Sequence, residues 1–299
     1  MDRRFRLTWT VKQENQGQIL RDFLAGKDIS KRALTDIKYN GGQILVNDRE
    51  ENVRYTIKMA DRIELIFPRE IPSDGMKGEH LPLSIVFEDD YVLVTVKPAG
   101  MNTIPSREHP TGSLANALIG YYERQGIEAT VHIVTRLDRD TSGLVLIAKH
   151  RHIHHLLSEM QKRRLISRSY TALASGIFSN TKGIIEQPIG RKETSIIERE
   201  VRADGQYACT KYKVLAQYET FAQVRLKLET GRTHQIRVHL SHVGHPLLGD
   251  DLYGGPMEKI RRQALHCSDL AFRHPITHED MQFHLPFPAD LQQVLNSES

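Results

Sequence analysis

The hydrophobic spacing of the chain first marks out a small unit. Ile19-Leu20-x-x-Phe23-Leu24 has the spacing of a helix face. Ser30 is placed to cap a second helix through Lys31, Arg32, Leu34 and Ile37, with Gly41-Gly42 as its stop. Gln43 to Val46, an Asn47-Asp48 turn and a return strand read as a hairpin, and Asp61 opens a last strand from Arg62 to Phe67. The unit is assigned to residues 1–68, its pattern beginning at residue 16. Residues 69–83 mix Pro, Gly and charge without a period and predict a linker.

Residues 84–299 form a larger second domain. Ile85 to Glu88 and Tyr91 to Val96 read as strands around an Asp89-Asp90 turn, and Leu114 to Tyr122 as a helix. Ile133 to Thr135 and the apolar run Leu144 to Ala148 read as strands, and His150 to Arg164 as a helix with a basic end. Ser169 to Ala174 and Gln223 to Leu228 alternate as strands do. Thr233 is placed to cap a helix whose apolar stripe is Ile236, Leu240 and Val243. Strands and helices do not alternate regularly, which predicts an α+β fold with a mixed, largely antiparallel sheet.

Composition narrows the class. With 299 residues and 39% hydrophobic positions there is ample material for a core. Apolar runs reach only about five residues, whereas a membrane helix needs about 20. The Met1 to Arg6 segment has no apolar stretch behind it that reads as a secretory signal. The two cysteines, Cys209 and Cys267, form no motif and read as reduced thiols. These features together predict a cytoplasmic protein. The net charge of +4 is compatible with a nucleic-acid partner without requiring one. Its clusters, Lys162-Arg163-Arg164 with Arg168, and Lys259 with Arg261 and Arg262, fit either a solvated face or phosphate contacts.

The chemistry centres on Thr135-Arg136-Leu137-Asp138-Arg139-Asp140-Thr141-Ser142-Gly143, which leads into the buried strand. Alone, such a run suits a solvated turn with weak surface ion pairs. A carboxylate held beside cations close to a core is also what a nucleophile or general base requires. Fifteen histidines, clustered at His150, His152, His154, His155 and at His234, His239, His242, His245, raise a metal-dependent hydrolase as a rival. No carboxylate completes a ligand set and no H-E-x-x-H pattern exists. A non-catalytic RNA-binding protein is the second rival.

Four blocks fall in one order: Lys97-Pro98-Ala99-Gly100, Arg136-Leu137-Asp138-x-x-Thr141-Ser142-Gly143, Ser169-Tyr170-x-Ala172-Leu173, and Gly231-Arg232-Thr233-His234-Gln235-Ile236-Arg237-Val238-His239. Gly244 to Asp250 and Leu265-His266 follow. In this order the chain resembles the RluA family of RNA pseudouridine synthases, in its branch with an N-terminal S4 domain, over residues 16–288. The resemblance implies a pseudouridine synthase fold behind an S4-like RNA-binding domain, no cofactor and no metal. It also implies a structured RNA partner, large-subunit ribosomal RNA or alternatively tRNA; a monomer is expected. It assigns catalysis to Asp138, Arg237 pairing with it, and Tyr170 against the base with its hydroxyl serving proton transfer. Substrate contacts are expected from Arg136, which would fill the space of a flipped base, and from Lys31, Arg32, Arg232, His234 and Gln235. The Gly231-Arg232-Thr233 step also resembles an anion site at a helix N-terminus. The chain departs from the family at Thr135, where His is usual; this bears on local packing and RNA fit.

Overall fold

A computed structural model describes residues 4–71 and 76–297. The N-terminal unit contains β1 (Arg6–Thr10), α1 (Leu20–Ala25), α2 (Lys31–Tyr39), β2 (Gln43–Val46), β3 (Arg49–Glu50) and β4 (Arg62–Ile66). Its antiparallel sheet runs β1-β4-β2-β3. Leu20, Phe23, Leu24, Leu34 and Ile37 of the helices share a core with Ile44, Val46, Ile63 and Leu65 of the strands. Ser30 caps α2 as expected, its hydroxyl accepting from the Ala33 amide at 3.1 Å. Gly42 is needed after the helix, because a side chain there would meet the Ile66 carbonyl at 2.7 Å. The pattern from residue 16 onward left out β1, which pairs with β4 along its whole length.

The large domain begins with β5 (Ser84–Glu88), β6 (Val92–Lys97), α3 (Leu114–Gln125), β7 (His132–Ile133), β8 (Ser142–Ala148) and α4 (Arg151–Lys162). It continues through β9 (Ser167–Ser175), β10 (Lys182–Glu186), β11 (Ile189–Arg191), β12 (Arg199–Val201), β13 (Cys209–Gln217) and β14 (Phe221–Leu228). It ends with α5 (Gln235–His242), β15 (Leu265–Arg273), β16 (Asp280–His284) and α6 (Ala289–Asn296). Ten of these strands form one sheet along the path β10-β13-β14-β9-β15-β8-β6-β5, with β16 beside β15 and β7 beside β8. Every pairing is antiparallel except β8 with β15, so the mixed, largely antiparallel sheet expected from the sequence is present. All seven residues of β8 are buried, as its apolar run requires.

The described residues of the connecting segment pack against the large domain. Pro72 to Gly75 lie outside the described residues. On one side of them Glu70 is buried: it takes 2.9 Å hydrogen bonds from the Arg151 amide and guanidinium and lies 2.6 Å from His132 Nε2. On the other side Glu79 lies against α3, where a side chain at Gly120 would meet its carbonyl at 2.3 Å. Arg151 also reaches Asp36 of α2 at 2.7 Å, and Phe5 stacks on His150 at 4.1 Å. Arg151 therefore bridges the two units through Glu70 and Asp36. Burial opposes charge on Glu70. The hydrogen bond from His132, the adjoining imidazoles and the Arg151 amide overcome this and lower its pKa to about 2 from the usual 4.5.

A carboxylate whose folded pKa is depressed adds stability above its unfolded value and loses it as pH falls towards the folded value. A Glu70→Gln variant is expected to lose on the order of 2–4 kcal/mol at pH 7. Denaturant unfolding of both proteins should show this gap closing between about pH 4.5 and pH 2.

Candidate active site

Asp138 lies in the loop between β7 and β8, and three contacts hold that loop. Thr103 Oγ1 donates to the Leu137 carbonyl at 2.7 Å and accepts from the Leu137 amide at 3.1 Å. Lys97, fully buried at the end of β6, donates through Nζ to the carbonyls of Pro98, Met101 and Arg139 at 2.7–2.8 Å. Three acceptors match the three hydrogens of an ammonium, so this geometry calls for the charged lysine. Burial pulls its pKa down to about 7, against which Asp140 and Asp138 act. Thr135, at the departure from the family pattern, is buried and accepts from the Leu146 amide at 2.9 Å. A small hydroxyl here closes the loop onto β8.

Gly143 explains the end of this motif. It has φ +125, and a side chain would meet the Cys267 carbonyl at 2.3 Å. Only glycine allows β8 to run this close to β15 in their parallel pairing. The Asp138 carboxylate is thereby left at the surface of the core, with a side chain 28% exposed.

Arg237 comes from α5 and is buried. Its main partner is Asp250, which takes Nε and Nη2 at 2.7 Å each. The expected pairing with Asp138 is present as a looser contact, Nη1 to Oδ2 at 3.6 Å. The Tyr253 ring covers the guanidinium at 4.8 Å. Although burial opposes its charge, Asp250 raises the Arg237 pKa. His234 lies beside the pair with Nε2 3.9 Å from Asp138 Oδ2, and its Nδ1 is 2.8 Å from the Tyr253 hydroxyl. Burial lowers the His234 pKa, which favours the neutral imidazole.

Tyr170 projects from β9 into the same cleft and is buried. Its hydroxyl accepts from Arg168 Nη1 at 3.3 Å. Burial raises its pKa above the usual tyrosine value, with Arg168 acting the other way and Cys267 and Asp138 adding to the rise. The phenol stays protonated near neutral pH.

Asp138, Tyr170, Arg237, Arg136, Arg232, His234 and Gln235 all line one cleft, together with Arg168. Arg136 is exposed, and its side chain has no hydrogen bond or ion pair among the described residues. Arg232 is exposed and donates to the Tyr207 carbonyl at 2.9 Å. Two expectations need correction here. Gln235 is buried and its amide is fully used: Oε1 accepts from Thr230 Oγ1 and the Arg232 amide, and Nε2 donates to the Cys209 carbonyl and Thr210 Oγ1. It braces the turn, which leaves neither its side chain nor the Arg232 amide for a substrate anion. Helix α5 is entered not from a Thr233 cap but through His234 in the left-handed region, φ 56, with no side-chain cap. Such strain in a non-glycine residue is typical of functional sites.

Lys31 and Arg32 are exposed on α2 and do not line this cleft. Arg32 instead faces a groove between α2 and the start of α4. Of the histidines in the metal hypothesis, His239 bonds Thr210 Oγ1 and the Gln187 carbonyl through its two nitrogens. Among the described residues no three His, Cys, Asp or Glu side chains converge as a metal site.

A carboxylate, a clamped arginine and a buried tyrosine thus face one cleft. The model of the RNA pseudouridylate synthase family matches residues 91–242, and the chain belongs to that family. It is an isomerase acting on RNA. The chain is 48% identical over 280 residues to the uncharacterized RNA pseudouridine synthase YjbO of Bacillus subtilis, covering 94% of this chain and 99% of that one. It is 39% identical over 270 residues to the ribosomal large subunit pseudouridine synthase D of Haemophilus influenzae, covering 85% and 82%. The human RNA pseudouridylate synthase domain containing 1 has a similar structure, with a TM-score of 0.60 and 25% identity over 75% of this chain and 90% of that one.

Lys97 and Asp250 lie inside the sequence motifs, which give them no role, and Arg168 belongs in sequence only to a basic cluster. Tyr253 had no signal beyond its place shortly after Asp250. Asp250→Asn should leave the buried Arg237 without its partner, at a cost of about 3–5 kcal/mol. The expected outcome is a lower melting temperature and at least a roughly tenfold lower kcat, with RNA affinity within about threefold of the parent. Thermal unfolding, single-turnover kinetics and filter binding check the three parts.

Proposed function

We propose that this chain isomerises uridine to pseudouridine in large-subunit ribosomal RNA, with Asp138 as the catalytic carboxylate. The observation that carries the proposal is the convergence of Asp138, Tyr170 and Arg237, from three separate elements, on one cleft. The reaction breaks the bond from ribose C1′ to uracil N1, turns the base and joins C1′ to C5; the C5 proton is lost and N1 gains one. It is neither a redox nor a phosphoryl-transfer step. Arg237 supplies charge beside Asp138 while leaving the carboxylate largely uncommitted. Tyr170 lies where its ring can support the uracil; as a protonated phenol it is suited to donating a hydrogen bond rather than to acting as a base.

A uridine within folded RNA must first leave its stack, at a cost of a few kcal/mol. Arg136 would occupy the space it leaves; its exposure at the cleft, without a side-chain partner among the described residues, supports this reading. The N-terminal unit, S4-like in its helix–helix–hairpin order, would dock structured RNA through Lys31 and Arg32 of α2. Ribosomal RNA is favoured over tRNA by the relative from Haemophilus influenzae, whose name gives the large subunit as its target. The cytoplasm, where ribosomes are made, is the inferred location. No helix among the described residues is long and apolar enough to cross a membrane.

Tritium release from RNA carrying 5-³H-uridine tests the assignment of Asp138. Asp138→Asn should release essentially none under conditions where the parent turns over; equal release would sink the assignment. Lys31→Glu with Arg32→Glu should raise KM for the RNA by about tenfold or more and leave kcat within about twofold, as expected for positioning contacts to phosphates.

A further inference from the structure

The cleft uses one face of the large sheet, and the opposite face carries charge that the reaction does not use. Side chains alternate along β9 and β14. Tyr170 and Leu228 line the cleft, whereas Arg225 and Lys227 are exposed and point the other way. Helix α6 covers part of this back face through Phe221 and Leu173. In the uncovered part, Lys182 of β10 is directly opposite Lys213 of β13, and Lys213 is directly opposite Arg225 of β14. One step along, Lys211 is directly opposite Lys227.

Like charges directly opposite one another destabilise a sheet. Three anions answer part of this group: Glu229 lies 2.9 Å from Lys211, Asp269 lies 3.1 Å from Arg225, and Glu186 of β10 also acts on Lys211. The side chains of Lys182, Lys213 and Lys227 form no hydrogen bond or ion pair among the described residues. Ser169 and Thr171 continue the same face beside Lys227 and Arg225, adding hydroxyls. The patch also adjoins the cleft. Lys227 precedes the cleft residue Leu228, and Gly231 and Arg232 line the cleft just after β14 ends. Arg164, at the basic end of α4, acts on Glu229 in the same field.

We infer that this face is a second RNA contact, holding backbone phosphates of the strand that flanks the target uridine as it passes around the C-terminal end of β14. Cations in a row with hydroxyls beside them match a polyanion, and a phosphate chain would relieve the repulsion that the sheet tolerates. The inference rests on the reading of the cleft as an RNA site.

The test replaces Lys182, Lys213 and Lys227 together by Gln in the full chain. Binding to a 5-³H-uridine transcript of large-subunit ribosomal RNA is measured from about 50 to 300 mM salt. The slope of log affinity against log salt should flatten by about 0.7–0.9 per lysine, and affinity at low salt should fall roughly tenfold or more. Single-turnover tritium release at saturating RNA should match the parent, and the variant should melt no lower, since it removes repulsion rather than packing. An unchanged slope and affinity would overturn the inference, as would a loss confined to the rate at saturation. If the parent itself released no tritium from any RNA, the reading of the cleft would fail first, and visibly so in the parent alone.

Discussion

The site depends on the bidentate pair between Arg237 and Asp250. An arginine facing one carboxylate closes on it with two short hydrogen bonds and uses up its oxygens. Here Asp250, fully buried, takes Nε and Nη2. Only Nη1 remains towards Asp138, at 3.6 Å. Asp138 thus has a cation close by, yet its oxygens stay available in the cleft. Tyr253 adds to the same arrangement, its ring over the guanidinium and its hydroxyl against His234. Breaking a buried pair leaves an uncompensated charge, so this arrangement is rigid as well as charged.

The opposite wall is held by hydroxyl groups and by the buried Lys97 ammonium, each bonded to the main chain. Lys97 and Thr103 fix the main chain on either side of Asp138, and Thr135 ties the start of the loop to β8. The close approach of β8 to β15 at Gly143 then sets where this loop stands relative to Tyr170, because β15 is also the partner of β9. A parallel contact in an otherwise antiparallel sheet is therefore what brings the motifs into one cleft. The bridge through Glu70 and Arg151 extends the same logic to the N-terminal unit, which is anchored to the domain that carries the chemistry.

Much of this was legible from the sequence, for identifiable reasons. Helices α1 and α2 and strand β8 carry their own signals: apolar spacing, a Ser cap, and an uninterrupted apolar run. Asp138, Tyr170 and Arg237 lie in long ordered motifs, and the cleft unites them. What escaped reading was set by partners distant in the chain. Strand β1 is five residues with a single buried position, Leu7, and gains its identity from β4. Strand β15 is almost wholly buried yet includes His266 and Ser268, and β13 turns Leu215 outward, so neither shows a clean alternation. Gln235 looked like a substrate contact because it sits in a motif; only the fold reveals that Thr230, Thr210 and two backbone groups consume its amide. Asp250 could not be paired with Arg237 from spacing, since the turn between them is irregular.

Asp138, presented by this clamp, is proposed to isomerise uridine in large-subunit ribosomal RNA. The most direct measurement is a pseudouridine map of ribosomal RNA from cells lacking the gene, complemented with either the parent or Asp138→Asn at equal protein levels. At least one large-subunit pseudouridine should disappear with the gene, return with the parent and not return with the variant. Return with both proteins, or no change at any large-subunit position, would contradict it.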